Sequence, residues 1–477
     1  MKKNHRPSLF PFTTFIKFSL CAAIAALACA TVTLRAAADE SDSPFFLQDG
    51  DRVCFYGDSI TEQRFYGADV QACIRTRFPK LQVDFVNSGV GGDRVTGGWA
   101  GDIDTRLERD VFPFKPSVVT IMLGMNDGRY RAFDQDVFNV YTNGYEHIIQ
   151  SLQAHLPGVR IVLIEPSPFD DVTEPPKFPG GYNAVLLRYS AFVRQLADRY
   201  HLLCVDFNGP MVAVMQKAFT QNPKLSHEII PGRVHPSAAG ELLMAQALLQ
   251  AWNVPATVTA VTLNARNGKV VHSENTAVSD FKADDAGLSW TQNDACLPFP
   301  ILALHDDWPQ FPLYSDPKSR MSFLWKIPER NWNYTNAATQ MAIDDSGFYQ
   351  ALDEQPLKVT GLSKGNYLLK INGQAVGEFS AKELHHGVNL AEYHTPMLEQ
   401  SYQEMDLVWK QIQWRFFAWR EIQLKLSDDH DPAVQQALSG LVAALQAQEQ
   451  DIVQQQHAAA IPLTTHYELI PAESTEK

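Results

Sequence analysis

Three things are scarce in this chain, and each scarcity closes off a class of function. Positive charge is the first: 40 Lys and Arg stand against 54 Asp and Glu, a formal net charge of −14. Such a chain lacks the electrostatic footprint of a nucleic-acid binder or of a protein drawn to an anionic membrane face. Neutral partners, such as sugars or neutral esters, fit it better. Cysteine is the second: there are six, and none forms a C-x-x-C pair, so no zinc site is indicated. His385-His386 is a conspicuous pair, but adjacent histidines without further ligands make no metal site. Neither a metal nor a cofactor is expected. Long apolar runs are the third. The one stretch that nearly reaches membrane-spanning length is Phe18 to Leu34, which carries no charge.

That run sits in a recognisable order. Lys2, Lys3, Arg6 and Lys17 precede it, the small residues Ala36, Ala37 and Ala38 follow it, and the first acids are Asp39 and Glu40. Basic, apolar and then small is the order of a secretory signal. Residues 1–38 are therefore expected to be a cleaved leader, and the protein to be secreted or periplasmic. An uncleaved anchor and a lipid-modified Cys29 are the alternatives. Cys21 and Cys29 belong to the leader, leaving Cys54, Cys73, Cys204 and Cys296. Cys54 and Cys204 lie in apolar runs and read as small buried thiols. Export permits a disulfide, but the sequence does not pair these residues.

What is present is ordinary for a soluble globular chain: 45% hydrophobic and 20% charged residues. At 477 residues it is too long for one compact core. Short apolar runs at Val53–Tyr56, Val83–Asn87, Ser117–Met122, Val159–Glu165 and Leu202–Phe207 read as buried strands. Amphipathic stretches such as Tyr141–His155 and Val185–Tyr200 lie between them. Continuous apolar strands alternating with helices imply a parallel, doubly wound α/β sheet over residues 45–254. Residues 256–395 read as a mostly β accessory region. Strands are expected at Val258–Ala265, Lys269–His272, Gly287–Thr291, Pro356–Thr360 and Tyr367–Ile371, with hairpin turns at Asn267-Gly268 and Asn372-Gly373. Asp294–Tyr349 reads as long ordered loops. Residues 396–460 read as a helical hairpin. Its apolar stripe, Leu398, Tyr402, Met405, Trp409, Ile412, Phe416 and Trp419, faces either the protein's own domains or a second copy.

Four short blocks carry chemistry. Gly57-Asp58-Ser59 follows the first strand, where a hydroxyl can be presented beside backbone N–H groups; alone it can equally be a helix cap. Asn87-Ser88-Gly89-Val90-Gly91-Gly92-Asp93 follows the second strand and lets backbone approach a ligand, and its spacing is wrong for a dinucleotide loop. Gly124-Met125-Asn126-Asp127 follows the third, and an Asn there can donate to a developing oxyanion. Arg233-Val234-His235-Pro236 stands before the last helix of the α/β region.

Each block is modest alone. Together, in this order and at these element ends, they resemble the SGNH hydrolase superfamily of GDSL-like esterases and lipases, over roughly residues 50–252. The resemblance implies a flavodoxin-like three-layer domain. It also implies Ser59 as nucleophile, His235 as general base, and the N–H groups of Ser59 and Gly92 with the Asn126 side chain as oxyanion hole. A hydroxyl is a weak nucleophile until a base takes its proton. One position departs from the family. The Asp usually found three residues before the His is Gly232 here. Three readings follow: a backbone carbonyl stands in for it, a carboxylate from elsewhere does, with Glu228 the nearest upstream acid, or hydrolysis is lost and only binding remains.

The same resemblance points to exported carbohydrate esterases that remove acetyl groups, with lipases, thioesterases and lysophospholipases sharing the four blocks. Trp99, Tyr130 and Phe169 fall in loops on the catalytic face and are candidate substrate-stacking residues. Asp170, Asp171 and Glu174, in the proline-rich loop Pro166–Gly181, suit a polar rim. Trp308, Trp325 and Trp332 make the accessory region a candidate glycan surface. The rival reading is a non-catalytic glycan-binding or surface-assembly protein on an inactive domain. The expected partner is an acylated carbohydrate or small ester, with no nucleic acid and no membrane beyond the leader.

Overall fold

Runs of β-branched and aliphatic residues with no polar alternation bury both of their faces, and such runs form the centre of one sheet of five strands. In the computed structural model these are Arg52–Gly57 (β1), Asp84–Asn87 (β2), Val118–Met122 (β3), Arg160–Ile164 (β4) and Leu203–Val205 (β5). All are parallel, in the order β2-β1-β3-β4-β5. Every residue of β3 is buried. The order reverses between β1 and β3, and ligands bind at such a reversal, beyond the carboxyl ends of the strands. Helices Phe65–Arg77, Gln135–His155, Asn183–Tyr200 and Ala238–Ala251 flank the sheet. The α/β expectation and its flavodoxin-like order are met.

The structure describes residues 44–284, 286–305, 330–426 and 429–472. The expected leader at 1–38, with Cys21 and Cys29, and the tryptophans Trp308 and Trp325 lie outside the described residues. Among the described residues no helix is long and apolar enough to cross a membrane, and Cys54, Cys73, Cys204 and Cys296 are free.

The β-rich region holds two sheets. One is antiparallel, in the order Thr276–Asp284, Gly287–Asp294, Thr465–Pro471, Asn366–Ile371, Gln374–Ser380; the other contains Val388–Asn389, Pro356–Thr360, Ala260–Asn264 and Lys269–Glu274. Asn372-Gly373 closes a two-residue hairpin, Ile371 pairing with Gln374, both turn residues at positive φ. The middle strand of the first sheet, Thr465–Pro471, arrives from the end of the chain. Its Tyr467 ring stacks on Trp290 at 4.9 Å, both fully buried.

Within the stretch read as long loops, the structure instead forms helices Ala337–Ser346 and Phe348–Leu352. Asn336 caps the first, its side chain accepting from Ala338 N at 3.1 Å and Thr339 N at 3.0 Å. Ala342, Ile343, Phe348 and Leu352 enter the core of the α/β layer. Burial of that apolar face stabilises what composition alone made look irregular.

Helix Pro396–Phe416 continues through a π-helical turn, Phe417–Gln423, and helix Pro432–Ala459 returns alongside it. The apolar stripe packs on the chain itself: Tyr402, Met405 and Trp409 meet Phe65, Ala68 and Ala72, and Trp409 stacks on Phe65 at 5.6 Å. A buried amide network runs beside it. Gln71 Nε2 donates to Gln411 Oε1 at 2.6 Å, and Gln411 Nε2 donates to Glu449 Oε1 at 3.0 Å.

Candidate active site

β1 ends at Gly57, and Asp58 caps the short helix Ser59–Gln63, its carboxylate accepting the Ile60 N–H at 3.0 Å. Ser59 is thereby held at the first helical position, half-buried. Its Oγ lies 2.8 Å from His235 Nε2. Burial lowers the pKa of His235 below the usual histidine value, which favours the neutral imidazole that a base needs.

The His235 loop is pinned by its neighbour. Buried Arg233 donates from Nε to Glu174 Oε2 at 2.6 Å and from Nη2 to the Pro175 carbonyl at 2.9 Å, and lies 3.5 Å from Asp171 Oδ1. Asp170 is fully buried and accepts from Val172 N and Thr173 N. Of the acids read as a polar rim, Asp171 and Glu174 meet Arg233 of the histidine loop, while Asp170 turns inward onto its own loop. Gly232 adopts φ +76°, and a Cβ there would meet nothing within 4 Å.

The Gly-rich loop after β2 lies against the Ser59 helix. A Cβ on Gly89 would stand 2.4 Å from Glu62 N, so only glycine permits that approach. Fully buried Arg106 holds both ends of the loop, donating to Ser88 O at 2.7 Å and to Asp93 Oδ2 at 2.8 Å. After β3, Asn126 Nδ2 donates to the Asp93 carbonyl at 3.1 Å and to Asp58 Oδ2 at 3.3 Å. Its Oδ1 accepts from the Tyr130 hydroxyl at 2.8 Å. Burial, reinforced by Asp127, Asp93 and Glu62, pushes Asp58 up to about 7.

Ser59, Gly92, Asn126 and His235 line one open concavity together with Trp99 and Tyr130. Trp99 is 62% exposed, and its indole N–H donates to Gly91 O at 2.9 Å. Phe169 is not in that group. It is 4% exposed, packs edge-on against Tyr182 at 5.2 Å, and lines a neighbouring pocket that shares Tyr130. Trp332 stacks on His394 at 3.9 Å, away from this concavity. His386 Nδ1 lies 2.7 Å from Lys382 O. Among the described residues no cluster of three or more His, Cys, Asp or Glu is placed to hold a metal.

Two contributions escaped the sequence. Tyr130 was legible only as a loop aromatic, yet it orients Asn126. Arg420, from the π-helical turn, also lines the concavity. Nothing in its local sequence marks it, because its partners belong to a loop far earlier in the chain.

Known proteins resemble this chain over the α/β domain. The model of the GDSL-like Lipase/Acylhydrolase family matches residues 55–243. An acetylxylan esterase of Geobacillus stearothermophilus is 29% identical over 221 residues, 42% of this chain and 93% of that enzyme. A GDSL esterase/lipase of Arabidopsis thaliana is 30% identical over 127 residues, covering 25% of this chain and half of that protein. A solved structure described as a gut microbial diltiazem-metabolizing enzyme superposes with a TM-score of 0.73 at 22% identity, covering 91% of this chain and 99% of that one. That is a likeness of fold, and it extends through the accessory regions. Over residues 55–243 the chain matches the GDSL-like lipase/acylhydrolase family, which marks this domain as a carboxylic-ester hydrolase of the SGNH type.

Proposed function

We propose that the protein is an exported O-deacetylase of acetylated carbohydrate, with Ser59 as nucleophile and His235 as general base. The observation that carries the catalytic part is the 2.8 Å contact between Ser59 Oγ and His235 Nε2. In this reading His235 takes the hydroxyl proton as Oγ attacks the ester carbonyl. The N–H groups of Ser59 and Gly92 and the Asn126 side chain donate to the oxyanion of the tetrahedral intermediate. His235 then returns the proton to the leaving sugar oxygen. Water, deprotonated by the same imidazole, hydrolyses the acetyl-enzyme to acetate. Gly232 stands where the family carries Asp, so no carboxylate at that position orients His235.

The carbohydrate part draws on the acetylxylan esterase relative and on Trp99, whose exposed ring borders the nucleophile and can stack on a sugar face. Tyr130 borders the same space. Export rests on the leader-like order of residues 1–38. The test is an acyl-chain-length series of p-nitrophenyl esters run beside acetylated xylan. The reading expects acetate to be the preferred acyl group and acetyl release from the glycan. Preference for long acyl chains with no release from the glycan would move the protein to the lipases or thioesterases.

A further inference from the structure

The π-helical turn Phe417–Gln423 reaches across to the Gly-rich loop, and its contacts there form a closed set. Arg420 Nη2 lies 3.1 Å from Glu62 Oε1, with both side chains almost fully buried. The other oxygen of that carboxylate, Oε2, accepts the Gly91 N–H at 2.8 Å. The Arg420 guanidinium also stands over the Trp99 ring, 4.2 Å from its centroid, and the Trp99 indole N–H donates to the Gly91 carbonyl. One peptide unit is thus gripped on its N–H by Glu62, and the next on its C=O by Trp99. Arg420 touches both gripping residues. The residue that follows is Gly92.

The neighbouring Trp419 anchors the same turn. Its indole N–H donates to Asp110 Oδ1 at 2.8 Å, and Asp110 is paired with Arg106, which holds Ser88 and Asp93. Local π-helical winding re-aims side chains out of α-helical register and recurs at functional positions. Arg420 Nη1 is buried with no hydrogen-bond partner among the described residues. Leaving such a donor unpaired is costly, so packing alone is a poor account of this residue.

We infer that Arg420 is a positioning residue for the oxyanion loop, and that the C-terminal helical segment thereby completes the active site. The inference rests on the reading of Gly92 as an oxyanion donor. Arg420 touches neither Ser59 nor the reacting ester in this account. It acts through Glu62 and Trp99 on the Gly91-Gly92 backbone. Small displacements of a positioned group cost up to about 10² in rate without changing substrate affinity.

The test uses the full chain with p-nitrophenyl acetate as substrate. Arg420→Ala is expected to lower kcat about 10- to 100-fold while KM stays within about twofold, and millimolar guanidinium chloride is expected to restore part of the loss. Arg420→Lys keeps the cation and the stem but cannot bridge Glu62 and Trp99 as a planar fork, so it is expected to lose kcat while remaining folded by circular dichroism. Arg415→Ala, on the same helix with its side chain on Glu449 and the Phe85 carbonyl, controls for general loosening and is expected to keep kcat within about twofold. Unchanged kcat in both Arg420 variants overturns the inference. So does a loss equalled by Arg415→Ala and not rescued by guanidinium. Asn126→Ala run in parallel separates the two levels: loss there with none at Arg420 removes only this inference, and no loss at Asn126 removes the oxyanion reading beneath it.

Discussion

Tyr130 donates its hydroxyl to Asn126 Oδ1 across 2.8 Å, which fixes the amide with its NH2 group turned toward Asp58 and the Asp93 carbonyl. As the proposed oxyanion donor, Asn126 must be preorganised, and the Tyr130 bond can hold its amide plane while one N–H passes from Asp58 Oδ2, the longer of its two bonds at 3.3 Å, to the oxyanion. Tyr130→Phe is therefore expected to lower kcat for p-nitrophenyl acetate about tenfold, against about 10²–10³ for Asn126→Ala. In the double variant the Tyr130 effect should vanish, since its partner is gone. Additive losses would mean that Tyr130 acts on something other than Asn126.

The acid limb of the pH–rate profile reports the base. As the proposed base, His235 would act when neutral, so protonation is expected to abolish turnover, and burial lowers its pKa below the usual 6.5. The profile of kcat/KM should accordingly rise with a midpoint below 6.5 and stay level above it through neutrality. A midpoint above 6.5 would place a negative group against the imidazole and contradict this assignment.

Asp58 makes an opposite prediction for stability. Its folded-state carboxyl is raised to about 7 from an ordinary value of 3.8, chiefly by burial. Between those values the folded state holds a proton that the unfolded state has lost. Its stabilising contribution is present at low pH and is lost as pH rises through about 7. Asp58→Asn lacks that titration and can keep the cap on Ile60. Urea unfolding at about pH 5 and about pH 8 should show the wild type losing stability relative to Asp58→Asn on going to the higher pH. A constant difference would show that Asp58 stays ionised.

The apolar stripe of the C-terminal helix packs on Phe65–Arg77, so Trp409 is a core residue. Truncating a buried, stacked Trp typically costs about 3–5 kcal/mol. Trp409→Ala should lower the unfolding free energy by that amount, measured in urea, and independently of protein concentration. A loss that disappears at high protein concentration would instead mark the stripe as an interface between copies.

Legibility in the sequence followed the reach of the interactions. The strands β1, β3 and β4 were readable because burial on both faces demands unbroken apolar runs, and Ser59, Asn126 and His235 were readable because each ends or precedes a regular element. Thr465–Pro471 does alternate, with Thr465, Tyr467 and Leu469 inward. Its partners Gly287–Asp294 and Asn366–Ile371 lie far earlier in the chain, and no turn signal announces the pairing. Helix Ala337–Ser346 had its signals in Asn336 as cap and Gly347 after its end, but the Pro, Trp and Asn around it masked them. Arg420 and the inward-turned Asp170 and Asp171 could not be read at all, because their roles exist only once distant loops are brought together.

If Ser59 attacks and His235 takes its proton, turnover of p-nitrophenyl acetate depends on the Ser59 hydroxyl, which Ser59→Ala removes. The expected result is a fall in kcat/KM of at least about 10³, with the variant folding as the wild type does. Turnover by Ser59→Ala equal to that of the wild type would contradict it.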